Sequence, residues 1–394
     1  MVAKRRTING VKIVRVSTVV FFVETQLREQ IAALAKAGAE VTVIASEPRL
    51  TQDVAGTQYL SIPIPRKISL FKDVSALLAL WRFFRRYRPE IVHSTTPKAG
   101  LLSALAAKLA GVPVRLHTFT GQPWVGLSGV KHMLSKRSDK LITALNTHCY
   151  ADSPSQKQFI VDRGVARSER ISVLGTGSLA GVDLKRFNPA RFTGGANLKL
   201  KEALQLPADS HILLYVGRLT ADKGIVELLQ AFAKVLADNA DAYLILLGPS
   251  EMDVDALLSS LPAVVSQRVV MPGFANEPER FMAIADVLVL PSYREGFGTV
   301  VIEAAAMGVP AIGTDIYGLS DAIVNGQTGL LVPVKTVDEL AQAISLLLKD
   351  EPLRSTFSRN GRQRVESEFA DEQFNQLIIN EYERLLELCS QGSE

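Results

Sequence analysis

Charged residues and glycines in the C-terminal half have the types and spacing that could bind a diphosphate. Gly217 ends an apolar run, Arg218 follows directly, and Lys223 comes five residues later. Glycine lets a ligand approach the backbone closely, and a forked guanidinium beside a compact ammonium suits two linked phosphates. A solvated loop that carries two cations is the alternative interpretation of the same pattern.

A second group of residues follows the apolar run 287–290 and consists of Glu295, Gly296, Phe297, Gly298 and Thr299. Its two glycines predict a tight turn whose backbone N–H groups point toward a bound anion. A further carboxylate, Glu303, lies eight residues after the first one, in a predicted helix over 300–307. The two carboxylates could accept hydrogen bonds from sugar and ribose hydroxyls. The alternative for Glu303 is a capping interaction with the threonine four positions earlier.

These groups need elements that hold them at one edge of a sheet. Apolar runs alternate with amphipathic stretches along the whole chain, which predicts parallel strands joined by helices. We predict strands at 11–16, 41–45, 91–93, 114–117, 141–144, 171–174, 211–216, 242–247, 268–271, 287–290, 311–313 and 329–332. Ligands bind at the carboxyl ends of such strands, where both groups lie. A third glycine-rich stretch, 313–329, follows a strand in the same way.

The 394 residues are enough for two or three domains. The polar, turn-rich segment 188–197 predicts a linker. We therefore expect one Rossmann-like domain over 1–190, a second over 191–370, and a helix within 371–394 that is a candidate to pack across both.

Composition places the chain among ordinary globular proteins, with 47% apolar and 21% charged residues. Two cysteines, Cys149 and Cys389, cannot form a disulfide framework or a closed cysteine-based zinc site, and they indicate a reducing compartment. The sequence shows neither a cleavable signal peptide nor a run of ~18 apolar residues. We expect a cytoplasmic protein.

The net charge of +4 conceals an asymmetry between the two halves. Residues 1–190 contain 28 Lys and Arg against 12 Asp and Glu, whereas residues 191–394 contain 16 against 28. The basic half therefore suggests an anionic partner, unless the two halves simply attract each other. The predicted helix 73–87 adds Arg82, Arg85 and Arg86 opposite an apolar stripe formed by Val74, Leu77, Leu78, Trp81 and Phe84. These arginines either form a solvated face or dock on an anionic membrane surface.

One glycine-rich motif is misleading. Residues 175–180 fit the dinucleotide-binding fingerprint, but no amphipathic helix follows and no acid lies at the expected offset of ~20 residues. We therefore predict no nicotinamide site here, and no bound cofactor.

Three features occur in the C-terminal half: the Gly-Arg…Lys-Gly turn, the Glu-Gly-Phe-Gly loop with its second glutamate, and the later glycine loop. In their order and spacing, the chain resembles the retaining glycosyltransferases of family four. The resemblance spans roughly residues 11–382 and implies the GT-B fold, in which two Rossmann-like domains face a cleft. It also implies that the N-terminal domain is the acceptor side. The segments 96–100 and 117–121 look most like bacterial members that extend lipid-diphosphate-linked oligosaccharides.

The resemblance also implies roles for individual residues. Gly217, Arg218 and Lys223 would bind the donor diphosphate. Glu295 would contact the hydroxyls of the donor sugar, and Glu303 those of the ribose. Gly296, Phe297, Gly298 and Thr299 would lie near sugar and phosphate. His117 would contact the donor sugar, although a buried structural histidine is the alternative. The family's usual Gly-Gly loop after the first strand is replaced by the apolar segment 17–23.

The resemblance thus implies transfer of a hexosyl or N-acetylhexosaminyl group from a nucleotide-diphosphate sugar, such as a UDP-sugar, to a polyprenyl-diphosphate-linked glycan. We find no carboxylate cluster suited to a divalent cation and expect metal-independent catalysis. Two alternatives stay open: a GT-B-type nucleotide-sugar epimerase or phosphorylase, and a non-enzymatic peripheral membrane adaptor. No nucleic acid partner is expected. The protein would act in the cytoplasm or at the inner face of the membrane.

Overall fold

The computed structural model describes residues 7–66, 68–193 and 195–391. Lys4, Arg5 and Arg6 of the basic N-terminus and Gly194 of the predicted linker lie outside the described residues. The chain forms two compact units. Unit 1 comprises the chain up to Gly181 together with the segment from Asp371, and unit 2 comprises Val182–Ala370.

Unit 1 is built on a sheet of seven parallel strands. These are β1 Lys12–Val16, β2 Glu40–Ala45, β3 Thr57–Ser61, β4 Ile91–Ser94, β5 Val114–Phe119, β6 His148–Ala151 and β7 Ile171–Val173. Their order in the sheet is β3-β2-β1-β4-β5-β6-β7. The helices between them are α1 Val20–Phe22, α2 Arg28–Lys36, α3 Leu70–Tyr87, α4 Pro97–Ala110, α5 Gly129–Leu145 and α6 Pro154–Asp162, with a π-helical turn at Val23–Leu27.

Unit 2 repeats this architecture with six parallel strands in the order β10-β9-β8-β11-β12-β13. They are β8 His211–Val216, β9 Ala242–Leu247, β10 Val269–Gly273, β11 Val287–Leu290, β12 Ala311–Thr314 and β13 Gly329–Val332. The accompanying helices are α7 Gly195–Ala203, α8 Ile225–Asp238, α9 Val254–Ser259, α10 Ala263–Ser266, α11 Pro278–Met282, α12 Thr299–Ala306, α13 Leu319–Ala322, α14 Val337–Lys349 and α15 Glu351–Glu368. The last helix, α16 Asp371–Gln391, belongs to unit 1.

Burial explains why the strands are nearly continuous apolar runs. Most residues of the central strands β8, β9 and β11 are inaccessible to solvent, because helices cover both faces of a parallel sheet. The predicted fold class, two α/β units with parallel Rossmann-like sheets, is confirmed. In each sheet the strand order reverses once, between β1 and β4 in unit 1 and between β8 and β11 in unit 2.

Three details differ from the sequence-based expectation. Residues 141–144 are not a strand but the end of α5, where Ile142 and Leu145 are buried and Leu141 is exposed, which is a helical period. The strands β3 and β6 were not predicted, because β3 is a half-exposed strand at the sheet edge and β6 is short and begins with a histidine.

The apolar stripe predicted for α3 is wrong in part: Phe84 is buried and Leu77 and Trp81 pack against the same core, but two of its five members do not. The buried row is Ala76, Leu80 and Phe84, whereas Val74 and Leu78 are exposed. Small residues line this contact because α3 packs closely against the alanine-rich helix α4 as well as on the sheet. The three arginines near the end of α3 are exposed, as predicted.

The predicted linker contains regular structure. Residues 189–192 form a short 3₁₀ helix and α7 begins at Gly195. The stretch from Val182 lies in unit 2, where the Val182 N–H donates to the carbonyl of Phe369 and Arg186 binds both oxygens of Glu279. The chain therefore enters unit 2 before residue 190. In the part of the chain that the structure describes, no helix is long and apolar enough to cross a bilayer.

Candidate functional site

The predicted diphosphate-binding residues lie at the reversal of strand order in unit 2. The loop after β8 carries Arg218 and Lys223, and the loop after the adjacent strand β11 carries Glu295. Because neighbouring parallel strands end at the same edge, these loops meet there. This crevice is where ligands bind in open α/β sheets.

Glycines let the two loops touch. Gly224 has a φ of +73° and caps the start of α8, and a Cβ at this position would lie 2.1 Å from the carbonyl oxygen of Pro291. Gly217, with a φ of +153°, is in equally close contact with Gly248, the residue that follows β9. A Cβ at Gly248 would lie 1.9 Å from the carbonyl oxygen of Gly217. Only residues without a side chain allow this packing of the backbone.

A half-buried ion pair joins the loops. The Lys223 ammonium lies 2.5 Å from Oε1 of Glu295, and both side chains are less than one-fifth exposed. Ser292 donates a second hydrogen bond, 2.8 Å long, to the same oxygen. Behind it, Arg294 pairs with Asp222 at 2.9 Å. A cation and a carboxylate are therefore held together at the switch point of the sheet.

Arg218 has a more open setting. Its guanidinium binds both oxygens of Glu251 at 3.0 and 3.1 Å, and both side chains are about half exposed. The backbone carbonyl of Arg218 accepts a hydrogen bond from the buried Tyr215 hydroxyl, which fixes the turn. The guanidinium can exchange this exposed carboxylate for another anion at little cost, since surface ion pairs contribute ~0–1 kcal/mol.

The second glycine loop leads into α12. Gly298, with a φ of +92°, is the N-cap residue and Thr299 is the first helical residue. No side-chain hydrogen bond caps this helix, so the capping interaction given as the alternative for Glu303 is not observed. The Phe297 side chain is buried in the core of unit 2 against Phe369 and offers only its backbone to a ligand.

Glu303 lies one helical turn into α12. Burial raises the pKa of its carboxyl to about 7; the charge of Glu279 acts in the same direction and that of Arg186 opposes it. The third glycine-rich stretch packs against this loop, because a Cβ at Gly318 would lie 2.7 Å from the carbonyl oxygen of Gly296. Two glycine turns therefore brace each other beside the glutamates.

His117 has different surroundings, in unit 1. It lies inside β5 rather than after it, is 1% exposed, and its Nδ1 lies 2.9 Å from the hydroxyl of Ser94. Its ring fills the space beside Gly100, where a Cβ would be 2.5 Å away. Burial lowers the pKa of this imidazole to about 3. These contacts agree with the structural alternative given above.

Sequence analysis missed a row of buried polar side chains in unit 1. Each follows the carboxyl end of a strand and has an atom without a hydrogen-bond partner: Ser17 Oγ, Thr95 Oγ1, Gln122 Nε2, Asp152 Oδ1 and Ser178 Oγ. Burial raises the pKa of Asp152 well above its usual range. We call these five residues the unit 1 edge cluster. Unpaired buried polar atoms are costly, and these five lie along one sheet edge, where a polar ligand could satisfy them.

At Ser17 the edge cluster has a sequence signal, namely a small polar residue directly after an apolar run. Glu251 had no such signal, because it is recognised only through its partner Arg218, 33 residues away in another loop. Among the residues described, no group of three or more His, Cys, Asp or Glu side chains is placed to hold a metal ion.

Known proteins share these features. Residues 197–364 match the family described as "Glycosyl transferases group 1", and residues 23–177 match a glycosyl transferase 4-like domain. The chain is 34% identical over 370 residues to the capsular polysaccharide biosynthesis glycosyltransferase CapM of Staphylococcus aureus, which covers 93% of this chain and 95% of that protein.

A second relative is the UDP-Gal:alpha-D-GlcNAc-diphosphoundecaprenol alpha-1,3-galactosyltransferase of Escherichia coli, 27% identical over 77% of this chain and 78% of that protein. Among solved structures, sucrose-phosphate synthase from Thermosynechococcus elongatus has a TM-score of 0.83 at 23% identity and covers 96% of this chain and 100% of its own. The chain therefore belongs to the group 1 glycosyl transferases and has the GT-B fold.

Proposed function

We propose that this glycosyltransferase moves a hexosyl or N-acetylhexosaminyl group from a UDP-sugar to a polyprenyl-diphosphate-linked glycan, with retention of anomeric configuration, during assembly of a cell-surface polysaccharide. The observation that carries the proposal is the Lys223–Glu295 pair at the strand reversal of unit 2. The activities named for the two relatives support the pathway and the class of acceptor.

On the donor side, Lys223 and Arg218 bind the diphosphate and neutralise the charge that develops as it leaves. Such stabilisation by positioned donors is commonly the largest contribution to catalysis. The N–H groups at the start of α12 add to it, because the first four of a helix have no partner within the helix. Glu295 then orients the sugar, and Glu303 accepts hydrogen bonds from the ribose.

On the acceptor side, we assign the glycan to the unit 1 edge cluster. Hydroxyl, amide and carboxyl groups of this kind recognise sugar hydroxyls, which both donate and accept hydrogen bonds. His117 is only 1% exposed and offers almost no surface to the donor sugar. Its assignment as a sugar contact therefore rests on the family resemblance alone.

For the reaction we propose attack from the face that the leaving group occupies. The bond from C1 of the sugar to the phosphate oxygen breaks, and the acceptor oxygen forms a bond to C1. The proton of the acceptor hydroxyl passes to the departing phosphate. No protein carboxylate is needed as a nucleophile, and Glu295 and Glu303 act only in binding.

The test is a screen of UDP-sugars with a short polyprenyl-diphosphate-GlcNAc acceptor. We expect one UDP-sugar to give a glycosylated product with release of UDP, and an α-linked donor to give an α-linked product by NMR. An inverted linkage would contradict the retaining mechanism. Epimerisation of the donor, phosphorolysis, or no turnover of any nucleotide sugar would instead favour the alternative functions.

We also predict transfer without a divalent cation, because the diphosphate is neutralised by side chains. Initial rates should be equal, within error, in excess EDTA and in magnesium or manganese. Loss of all transfer in EDTA, restored by either metal, would contradict this assignment of charge stabilisation to Lys223 and Arg218.

A further inference from the structure

Glu251 places a carboxylate directly on one of the two cations assigned to the donor diphosphate. It lies in the loop after β9, whereas Arg218 lies in the loop after the neighbouring strand β8. Both carboxylate oxygens accept hydrogen bonds from Nη1 of the arginine, at 3.1 and 3.0 Å. A diphosphate that binds here needs the same guanidinium, so the carboxylate and the ligand exclude each other.

The main chain holds Glu251 in this place. The loops after β8 and β9 continue the pairing of their strands by two hydrogen bonds. The Leu219 N–H donates to the carbonyl of Pro249 at 2.9 Å, and the Glu251 N–H donates to the carbonyl of Leu219 at 3.0 Å. The backbone of Glu251 is therefore fixed next to the turn that carries Arg218, and its side chain stays within reach of the guanidinium.

The ion pair between Glu251 and Arg218 is easily displaced. Each of the two side chains is 48% exposed, and ion pairs in such a setting are weak. A single nitrogen of the guanidinium makes both contacts, whereas arginine binds an oxyanion best when two of its nitrogens donate in parallel. A diphosphate carries more charge than a carboxylate and has several oxygens for such a fork. It can therefore take Arg218 from Glu251.

The pair of Lys223 with Glu295 differs from this one in burial and in support. Both side chains are less than one-fifth exposed, and Ser292 donates a further hydrogen bond to the same carboxylate oxygen. An ammonium has three N–H donors, so Lys223 can keep its contact with Glu295 while it binds a phosphate oxygen. Of the two assigned cations, Arg218 is therefore the one that must exchange a protein carboxylate for the ligand.

We propose that Glu251 is an internal competitor of the diphosphate. It holds Arg218 in the free protein, gives it up when the nucleotide sugar binds, and takes it back as UDP leaves. The proposal rests on the proposed function, because it takes Arg218 as a ligand of the diphosphate and UDP as the product. In this role Glu251 sets the affinity for the nucleotide without taking part in the chemistry. Product release limits turnover in many enzymes, so a weaker hold on UDP favours turnover.

The test compares UDP with uridine, which has no phosphate, on wild-type protein and on Glu251→Gln. The Kd of UDP is measured by isothermal titration calorimetry and that of uridine by NMR titration. We expect the variant to bind UDP about threefold to fivefold more tightly, because a surface ion pair no longer has to be broken. Uridine should bind both proteins equally. The gain for UDP should shrink as salt is raised, since salt weakens the competing pair in the wild-type protein.

The matched control is Glu366→Gln. Glu366 pairs with Arg362 on α15 of the same unit, and the side chains of this pair are about as exposed as those of Glu251 and Arg218. The replacement removes the same charge from unit 2, so a general effect of net charge on UDP binding would appear here too. We expect the Kd of UDP for this variant to equal that for the wild-type protein.

A double-mutant cycle shows whether Glu251 acts through Arg218. In the Arg218→Ala background, Glu251→Gln should change the Kd of UDP by less than about twofold, because the guanidinium that it holds is absent. An equal gain in both backgrounds would mean simple repulsion between two anions and would overturn the proposal. Weaker UDP binding by Glu251→Gln alone would also overturn it, because Glu251 would then orient the arginine for the ligand.

Steady-state kinetics separate this role from one in the chemistry. In Glu251→Gln the inhibition constant of UDP as a product should fall by the same factor as its Kd, and kcat should not rise. A loss of kcat as large as that of Arg218→Ala would contradict the proposal. If Arg218→Ala weakens UDP binding while Glu251→Gln leaves it unchanged, the competition fails and the proposed donor site stands. If neither variant changes UDP binding, the diphosphate lies elsewhere and both proposals fail.

Discussion

At the scale of single residues, the central interaction is the ion pair of Lys223 with Glu295. We predict that Lys223→Ala lowers kcat by ~10²-fold or more, since one positioned donor to a developing anion contributes about 3 kcal/mol. Arg218→Ala should act in the same direction. The matched control is Lys234→Ala, which removes an exposed lysine paired with Asp338 in the same unit. Turnover close to wild type in both site variants would show that the diphosphate binds elsewhere.

We expect Glu303 to make donor binding sensitive to pH, because we assign its carboxylate to the ribose hydroxyls. Its pKa of about 7 in the free protein means that the carboxylate is only partly populated at neutral pH. A ligand that requires the ionised form must bind more tightly as pH rises. We predict that the Kd for UDP falls between pH 6 and pH 8, and that Glu303→Gln removes most of this dependence. A pH profile shared by both proteins would contradict the ribose assignment.

The same residue links pH to stability with the opposite sign. Burial raises the folded-state pKa above the ordinary 4.5, so the folded protein holds this proton more tightly than the unfolded chain does. The stabilisation is complete below about pH 4.5 and is lost as pH rises through about 7. Donor binding at higher pH therefore uses a carboxylate whose ionisation the fold itself disfavours.

At the scale of elements, the contact between the β8 and β11 loops depends on Gly224. We predict that Gly224→Ala destabilises unit 2 and abolishes donor binding, because its Cβ would collide with the carbonyl of Pro291. The matched control is Gly326→Ala, at nearly the same φ of +74° but with no atom within 4 Å of the added Cβ. Both variants incur ~1–2 kcal/mol of backbone strain, and Gly224→Ala should lose about 1–3 kcal/mol more in urea denaturation. Equal losses would mean that the two loops need no close contact.

The helices and strands also show which features can be predicted from the sequence and which cannot. Strands such as β8 and β11 are buried apolar runs followed by glycine, so their positions and the turns after them follow from local rules. Residues 141–144 look like a strand because two β-branched residues stand together, yet the period of their burial belongs to α5. The covered face of α3 was predicted only in part, because α4 as well as the sheet decides which side chains are covered.

Some of the site residues could likewise be predicted from the sequence, and others could not. Gly217, Lys223 and Glu295 lie next to the turns that position them and could be found from spacing. Glu251 is 33 residues from Arg218 along the chain, and Glu279 is 93 residues from Arg186, so only the folded chain brings each pair together. The unpaired atoms of the edge cluster likewise become visible only once burial is known.

At the scale of the whole molecule, charge is divided much as the units are. The first 190 residues have an excess of sixteen positive charges and the remainder an excess of twelve negative ones. The basic unit carries the proposed acceptor site. The acidic unit nevertheless carries Arg218 and Lys223 at its strand reversal. The positions of these two cations therefore reflect the proposed diphosphate site and not the net charge of the unit.

In the part of the chain that the structure describes, helix α16 brings the chain back from unit 2 into unit 1. Ile378, Tyr382 and Leu386 of α16 are buried in the core of unit 1. The Tyr382 hydroxyl lies 2.8 Å from Nη1 of Arg15, which is 1% exposed, and 2.6 Å from Nδ1 of His93. Nε and Nη2 of this arginine have no other partner.

We predict that Tyr382→Phe lowers the free energy of unfolding of unit 1 by about 1–3 kcal/mol, because it takes from a buried guanidinium the hydroxyl that accepts its hydrogen bond. The comparison is Tyr150→Phe, which removes the hydrogen bond that the Tyr150 hydroxyl donates to Glu381, another residue of α16. Arg384 still binds that carboxylate, so this variant should lose less. Denaturant unfolding of the full chain measures both changes. If Tyr382→Phe costs no more than Tyr150→Phe, then Arg15 does not depend on α16, and the return of the chain to unit 1 is held by apolar packing alone.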